Sequence, residues 1–204
     1  MTPVLKGVLT DFGFANAVAA QQVYGGHGYI AANGVEQFVR DARIAMIYEG
    51  ANGIQALDLV GRKLGAHMGR YLRSFFHPVS AFIEDNGGEG PMAPFITGLK
   101  RAFEALQGAT ALIAERGLRD PEEAGAASTD YMHLFGLTGL AYMWALMVKA
   151  ANAKIAEGST DPFFTTKVAT ARYFIERVLP DAGAHLAKLK TGSATLMALP
   201  AEAF

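Results

Sequence analysis

The sequence contains no cysteine. This absence excludes disulfides, thiolate metal ligands, iron–sulfur clusters and a cysteine nucleophile. It does not fix the redox compartment, because a chain without cysteine suits an oxidising environment as well as a reducing one. No function that depends on cysteine chemistry is therefore expected.

Charge is scarce and evenly balanced. Only 18% of the 204 residues are charged, and 18 Lys and Arg against 19 Asp and Glu give a net charge of −1. A nucleic-acid partner is not expected, because such binding relies on a basic surface. The hydrophobic share of 51% also excludes the disordered class, which combines low hydrophobicity with high charge.

A secretory signal and a long apolar run are missing as well. The start, MTPVLKGVLTDFGF, has one lysine and no apolar run that ends at a small-residue cleavage site. The longest apolar stretch, 134–148, is interrupted by Gly136, Thr138 and Gly139 and is shorter than the roughly 20 residues that cross a bilayer. We therefore expect no transmembrane segment and a cytoplasmic location.

What the sequence does have is helical periodicity. Apolar residues recur three and four positions apart, and no long stretch alternates with period two. The helical segments are 5–22, 52–76, 91–117, 129–157 and 163–190. This pattern predicts an all-α fold, with a bundle of two or three long antiparallel helices between residues 91 and 190 and a surface connection over 118–128.

Turn residues mark the ends of these segments. The signals are Gly25 with its neighbouring glycines, Asn52, His77-Pro78, Asp120-Pro121 and Thr160-Asp161-Pro162. The acidic, glycine-rich run 84–90 lacks β-branched and aromatic residues, which favours a linker between a domain of residues 1–83 and a domain of residues 84–204. The same run is equally compatible with a loop within one bundle.

A glycine-rich segment, QVYGGHGY at 22–29, follows the first predicted helix. It matches neither the dinucleotide fingerprint nor the phosphate loop, because both of those motifs follow a strand. Residue types alone favour a helix C-cap followed by a turn. The glycines would also let the backbone approach a ligand or a neighbouring chain closely.

Glu49 is a lone carboxylate in an apolar setting, after Ile47 and Tyr48 and before a glycine. Partial desolvation there would suit a general base. The alternative role is to cap the helix that starts near Asn52, and residue types alone favour that alternative. Both roles stay open at this point.

Other chemistries have little support. The five histidines show no pair at metal-ligand spacing, so no metal site is expected. No Gly-x-Ser-x-Gly motif is present, which leaves hydrolase chemistry without a basis. A stripe of aromatic and methionine residues at helical spacing predicts ordinary core rather than a ligand cavity. The stripe consists of Tyr131, Met132, Phe135, Tyr142, Met143, Trp144 and Met147.

Three ordered motifs resemble the C-terminal end of acyl-CoA dehydrogenases: QVYGGHGY, VEQFVRDARIAMIYEGANGIQ and ALDLVGRKL. Further along, TARYFIERVLPDAGAHL and SATLMALPAEAF are similar to the extra C-terminal helical domain of the larger branch of that family. This branch includes 3-methylmercaptopropionyl-CoA dehydrogenase-like enzymes. The resemblance implies the C-terminal part of the acyl-CoA dehydrogenase fold followed by an appended helical bundle.

The resemblance also implies a flavoprotein that converts acyl-CoA to 2-enoyl-CoA. Glu49 would be the base that removes the α-proton of the thioester while the β-hydride passes to FAD, and Gly50 would lie beside the substrate. Ala51, Asn52 and Gly53 would contact the flavin mainly through backbone groups, because Ala51 and Gly53 lack the polar side chains common in the family. Contacts with the adenosine diphosphate part of FAD, usually that of a neighbouring subunit, would come from Gln22, Val23, Tyr24, Gly25 and Gly26.

Partners follow from the same resemblance. They are an acyl-CoA substrate, an electron-transfer flavoprotein and further copies of the chain in a dimer or tetramer. Family members also have an N-terminal helical domain and a middle β-domain, so this chain is expected to be a C-terminal fragment that is inactive alone. The alternative is a non-catalytic helical module for oligomerisation, derived from such an enzyme, in which Glu49 remains only as a cap.

Overall fold

The computed structural model describes residues 1–203, and within them it contains nine α-helices and no strand. The all-α prediction is therefore confirmed. The helices are α1 (Thr2–Val23), α2 (Gly26–Tyr29), α3 (Val35–Ala45), α4 (Asn52–Asp58), α5 (Arg70–Asn86), α6 (Ala93–Arg119), α7 (Pro121–Ala156), α8 (Pro162–Tyr173) and α9 (Asp181–Lys190). Two π-helical segments, Leu59–Lys63 and Phe174–Val178, and two 3₁₀ turns, Ala31–Asn33 and Ala201–Ala203, complete the regular structure.

Aspartate followed by proline starts both α7 and α8. The start of α8 is as predicted, whereas α7 begins before the predicted segment 129–157. The Asp120 carboxylate accepts a hydrogen bond from the amide of Glu122 at 2.9 Å, and Asp161 accepts one from the amide of Phe163 at 2.8 Å. Each carboxylate thus satisfies an amide that the helix itself leaves unpaired. Because Asp120 caps α7 immediately after α6 ends, the expected surface connection over 118–128 is wrong.

The segment 52–76 was expected to be one helix, and the structure divides it. After α4 the chain passes through the π-helical segment Leu59–Lys63 and then a turn that contains three successive left-handed residues. These are His67, Met68 and Gly69, with φ of 50°, 54° and 74°. Helix α5 begins only after them, because left-handed backbone cannot continue a right-handed helix.

Helix α5 continues through Pro78, so the predicted stop at His77-Pro78 is wrong. A proline inside a helix removes one backbone hydrogen bond and crowds the preceding turn. Here Val79 and Phe82 lie beyond the proline on the buried face of the same helix. Their burial stabilises the continuation of the helix, at roughly 1.5–3 kcal/mol for each large apolar side chain.

The core is built around α6 and α7, which a single residue connects and which therefore run antiparallel. Helices α8 and α9 pack on the same pair, and α1 crosses α7. The large side chains with less than 2% exposure are Tyr131, Phe95, Leu99, Leu106, Met132, Leu134, Leu137, Val8, Val79, Val148 and Thr138. Of the stripe expected in the core, Met143 and Met147 are instead exposed.

Small residues allow α1 to approach α7 closely. Val4 and Val8 of α1 are buried, and a Cβ added at Gly136 of α7 would lie 2.6 Å from a methyl carbon of Val8. The buried cluster is therefore continuous from α1 into the bundle. The division of the chain into domains at residue 84 stays a prediction, although a loop of residues 87–92 does separate α5 from α6.

Helix α7 is longer than the apolar stretch that the sequence suggested. Among residues 1–203 it is the one helix whose length and composition would suffice to cross a membrane. Half of its most apolar stretch is buried inside the protein. A core helix passes the same test of length and composition.

Glu123 holds the C-terminal end of α9 against the α6–α7 turn. One carboxylate oxygen accepts hydrogen bonds from the amide of Ser193 at 2.9 Å and from its hydroxyl at 2.6 Å. Arg116 lies 3.4 Å from the other oxygen and donates to the carbonyl of Lys190 at 3.1 Å. The Ser193 hydroxyl and amide, together with the Arg116 charge, lower the pKa of Glu123 below its ordinary value.

This lowered pKa predicts a stability that depends on pH. A carboxyl group with a lower pKa in the folded state than in the unfolded state stabilises the fold above its ordinary pKa, and the contribution is lost as the pH falls through the folded value. We therefore expect Glu123→Gln to lower the melting temperature at pH 7, with the difference from wild type shrinking below about pH 4. Thermal melts by circular dichroism at both pH values measure this.

The matched control is Glu122→Gln, in the same helical turn, whose carboxylate accepts no hydrogen bond among residues 1–203. It shares the favourable interaction with the N-terminus of α7, so it corrects for that effect. An equal loss of melting temperature in both variants would contradict a specific stabilising role of the Glu123 contacts with Ser193 and Arg116.

Candidate active site

Glu49 lies in a loop of residues 46–51, between α3 and α4, which we call the Glu49 loop. Glu49 and Gly50 both have left-handed backbone, with φ of 53° and 83°. Glycine adopts this conformation freely, but a residue with a Cβ does so at a cost of about 1–2 kcal/mol. Such residues are concentrated at functional sites, where the surrounding structure holds them in place.

Three hydrogen bonds hold the loop in this conformation. The amide of Asn52 donates to the carbonyl of Met46 at 3.1 Å and closes the loop. The side chain of Gln55 donates to the carbonyl of Glu49 at 3.0 Å, and the ammonium of Lys6 donates to the carbonyl of Gly50 at 2.8 Å. The backbone around Glu49 is thus fixed from both α4 and α1.

The carboxylate and the backbone amide of Glu49 have no hydrogen-bond partner among residues 1–203. Helix α4 has Ala51 at its N-cap and no side-chain hydrogen bond there, so Glu49 does not cap α4 through a hydrogen bond, and an interaction of its charge with the helix N-terminus stays a prediction. The expected partial burial is not found either, because Ile47 and Tyr48 are themselves 49% and 53% exposed.

A shallow hollow of about 420 Å³ opens beside the loop. Glu49 and Gly50 line one side of it, and Ile54 and Leu57 of α4 provide apolar surface. Asp58 stands at its edge and pairs with Arg62. A small reactive group could therefore reach the Glu49 carboxylate from the solvent side.

Asn52 directs its side chain away from this hollow and toward α1. Its amide nitrogen donates to a carboxylate oxygen of Asp11 at 2.7 Å, and its carbonyl oxygen accepts from Lys6 at 2.7 Å. Ala51 and Gly53 are exposed, and nothing lies within 4 Å of a Cβ added at Gly53. Cofactor contacts of Ala51, Asn52 and Gly53 stay predictions. The side chain of Asn52 already forms hydrogen bonds with Lys6 and Asp11.

The segment 22–26 at the end of α1 is fully open to solvent. Gly25 is left-handed with φ of 58°, and no atom lies within 4 Å of a Cβ added at Gly25 or Gly26. Gly28 closes the turn tightly, because a Cβ there would lie 2.5 Å from the carbonyl oxygen of Gln21. The helix C-cap and turn are as expected, and cofactor contacts of Gln22, Val23, Tyr24, Gly25 and Gly26 stay predictions.

The two predicted parts of the site are not brought together. Thr10 is next to the Glu49 loop, and Gln22 lies twelve residues further along the same helix. At 1.5 Å per residue they are about 18 Å apart along α1. One chain therefore presents two separate surfaces.

A second polar cluster was not recognised from the sequence. His133 of α7 and His185 of α9 stack with ring centroids 5.1 Å apart. His133 Nε2 lies 3.0 Å from a carboxylate oxygen of Asp11, and His185 Nδ1 lies 2.7 Å from one of Asp130. The four residues come from three helices, so no local spacing could have revealed the whole cluster. Only Asp130 and His133 lie on one helix at a spacing of three, which is a local signal for that pair.

Burial lowers the pKa of His133, although the carboxylate of Asp11 opposes this shift. Asp11 has one carboxylate oxygen 3.0 Å from His133 Nε2 and accepts a hydrogen bond from the Asn52 side chain on the other.

The fold and the loop together describe an all-helical protein that exposes the carboxylate of Glu49 on a left-handed turn. Residues 1–64 match the family model described as "Acyl-CoA dehydrogenase, C-terminal domain". Residues 75–200 match the model described as "Acetyl-CoA dehydrogenase C-terminal like". The chain therefore belongs to the acyl-CoA dehydrogenase family, a family of oxidoreductases.

Curated relatives cover nearly all of the chain. It is 36% identical to a 3-methylmercaptopropionyl-CoA dehydrogenase of Ruegeria pomeroyi, over 97% of this chain and 34% of the relative. It is 29% identical to a broad-specificity linear acyl-CoA dehydrogenase of Mycobacterium tuberculosis, over 88% of this chain and 31% of the relative. A butyryl-CoA dehydrogenase of Syntrophomonas wolfei is 24% identical, over 99% of this chain and 34% of the relative. The chain spans about a third of the length of these relatives.

Proposed function

We propose that this chain is the C-terminal part of an FAD-dependent acyl-CoA dehydrogenase that forms 2-enoyl-CoA, with Glu49 as the catalytic base. The observation that carries the proposal is the conformation of Glu49. Its backbone is held in a strained left-handed turn by Gln55 and Lys6, while its carboxylate and amide are left without protein partners. A strained backbone is typical of functional sites, and a carboxylate without protein partners is available to react. Together these two features favour a catalytic role over a structural one.

Glu49 would remove the α-proton of the thioester. That proton is only weakly acidic, so the base must be held close and the oxygen on which negative charge develops must be stabilised. The free amide of Glu49 is available as a donor to that oxygen. Gly50 has no side chain, so the acyl group can lie against the backbone next to the base.

A flavin cofactor would contact exposed backbone groups of this chain. When bound, the flavin accepts the hydride from the β-carbon. Ala51 and Gly53 are exposed beside Glu49 and can offer backbone groups to it. The open turn at Gly25 and Gly26 would meet the adenosine diphosphate part of another subunit's FAD, which agrees with the distance of about 18 Å between this turn and the Glu49 loop.

Partners are proposed on the same basis. The substrate is an acyl-CoA thioester, the electrons pass to an electron-transfer flavoprotein, and the enzyme is a homo-oligomer, a dimer or a tetramer. The relatives are named as dehydrogenases of acyl-CoA thioesters. A cytoplasmic location stays a prediction.

We further propose that the chain alone has no dehydrogenase activity. Glu49 is exposed, and residues 1–203 do not enclose it in the water-poor pocket that a base of this kind requires. Large apolar side chains of α1, α2 and α3 also face solvent, with Val23, Tyr29 and Phe38 between 69% and 86% exposed. An apolar surface of this kind is normally covered by another domain or subunit.

The same exposed surface favours a second candidate function. A non-catalytic helical module that uses this surface to assemble would show the same apolar residues. The two candidates differ in whether turnover needs the Glu49 carboxylate. Turnover by the full-length enzyme with and without that carboxylate separates them.

The first experiment is to incubate the 204-residue chain with FAD, pass it through a gel-filtration column, and record its visible spectrum and its mass by light scattering. We expect a colourless peak, because the flavin site needs parts that this chain does not contain. A peak that retains flavin would overturn the proposal that the chain alone is incomplete. The mass in the same run reports whether the exposed apolar surface drives self-association.

A further inference from the structure

A continuous series of polar contacts runs from the Glu49 loop into α1 and on to α7. Lys6 donates to the carbonyl of Gly50 at 2.8 Å and to the side-chain oxygen of Asn52 at 2.7 Å. Asn52 donates to Asp11 at 2.7 Å, and the other oxygen of Asp11 lies 3.0 Å from His133 Nε2. All of these side chains except that of His133 belong to the part of the chain within 52 residues of the start.

We propose that Lys6 and Asn52 are positioning residues for the catalytic base, and that Asp11 and His133 fix the orientation of Asn52. This inference rests on the proposed role of Glu49. It goes beyond that role because residues of α1 and α7, and not only the Glu49 loop itself, would hold the base in position.

The orientation of Asn52 follows from the chemistry of its two neighbours. An ammonium can only donate hydrogen bonds, and a carboxylate can only accept them. Between Lys6 and Asp11 the amide group therefore has a single satisfied orientation, with its oxygen toward Lys6 and its nitrogen toward Asp11. An aspartate at position 52 would place two carboxylates in contact.

Lys6 is the direct contact to the loop. Its ammonium lies against two neutral carbonyl oxygens, and no carboxylate is within 4 Å of it among residues 1–203. The contact with Gly50 spans 44 residues of sequence, so it fixes the turn from outside the loop. A base that shifts by about 1 Å can lose on the order of 100-fold in rate, so a contact of this kind can matter to turnover without touching the substrate.

The test is Lys6→Met in the full-length holoenzyme, which removes the ammonium and keeps an apolar stem of similar length. We expect kcat to fall by about 10–100-fold, with KM for acyl-CoA and flavin content close to wild type. Hydrogen exchange of the peptide that contains residues 46–55 should become faster, because the turn loses its anchor. The matched control is Lys100→Met, an exposed lysine on α6 that pairs only weakly with Glu104.

A variant pair keeps the proposal testable if Lys6→Met does not fold. Asn52→Asp should lower kcat as Lys6→Met does, and adding Asp11→Asn should recover part of the loss, because a donor and an acceptor again face each other. No recovery in the double variant would overturn the proposal. Normal exchange and normal kcat in Lys6→Met would overturn it as well.

Failure of this inference is distinguishable from failure of the proposed function. If Glu49→Gln keeps full turnover, Glu49 is not the catalytic base. Lys6 and Asn52 then cannot be positioning residues for it. If Glu49→Gln is inactive while Lys6→Met and Asn52→Asp behave as the control, only the positioning role is wrong.

Discussion

Replacing Glu49 with glutamine is expected to lower the turnover of the full-length dehydrogenase by about 10²–10⁴-fold. Glutamine has nearly the same shape and can keep the left-handed backbone, but it cannot accept a proton at neutral pH. The contacts that hold the turn use the backbone carbonyls of Glu49 and Gly50, which the substitution leaves in place. The loss should therefore be chemical rather than structural.

The measurement is steady-state turnover with an acyl-CoA substrate, together with the flavin content of the purified enzyme. Flavin content and melting temperature should match wild type, because the Glu49 carboxylate makes no hydrogen bond among residues 1–203. Glu89→Gln, in the exposed loop between α5 and α6, removes a charge elsewhere and should leave turnover unchanged. Unchanged turnover in Glu49→Gln would support the non-catalytic oligomerisation module instead.

Gly136→Ala is expected to lower the free energy of unfolding by about 1–3 kcal/mol. The added methyl carbon would lie between 2.6 and 2.9 Å from three carbon atoms of Val8. A valine side chain has few rotamers and cannot move away easily, so α1 itself must shift from α7. The cost exceeds the gain in helix propensity from replacing glycine with alanine.

Gly139→Ala, three residues further along α7, is the matched control for this prediction. Its nearest neighbours lie at 3.9 and 4.0 Å, which is ordinary contact, so alanine there should raise stability by about 0.5–1 kcal/mol. Urea denaturation of both variants measures the difference. Adding Val8→Ala to Gly136→Ala should recover part of the loss, and a Gly136→Ala variant as stable as Gly139→Ala would show that the two helices do not meet closely at this point.

Much of the fold could be predicted from local sequence. The apolar spacing of three and four residues indicated helices, and Asp161-Pro162 marked the start of α8. These features act within one or two turns, so they need no knowledge of the rest of the chain. The left-handed turn at Gly25 has the same local origin.

Local sequence was misleading where packing outweighs local preference. Pro78 indicated a helix end, but α5 continues because Val79 and Phe82 are buried beyond it. The deciding contact comes from an element distant in sequence, because the Phe82 ring packs against Tyr142 of α7.

The sequence by itself determined the helical class and the motif around Glu49, because both depend on residue type at short spacing. Only the tertiary structure decided how that motif is held, since Lys6 reaches Gly50 across 44 residues and Asn52 reaches Asp11 across 41. The stacked rings of His133 and His185 are a contact of the same kind, between residues whose positions differ by 52. Such contacts form only when helices that are far apart in sequence pack together, so no local pattern records them.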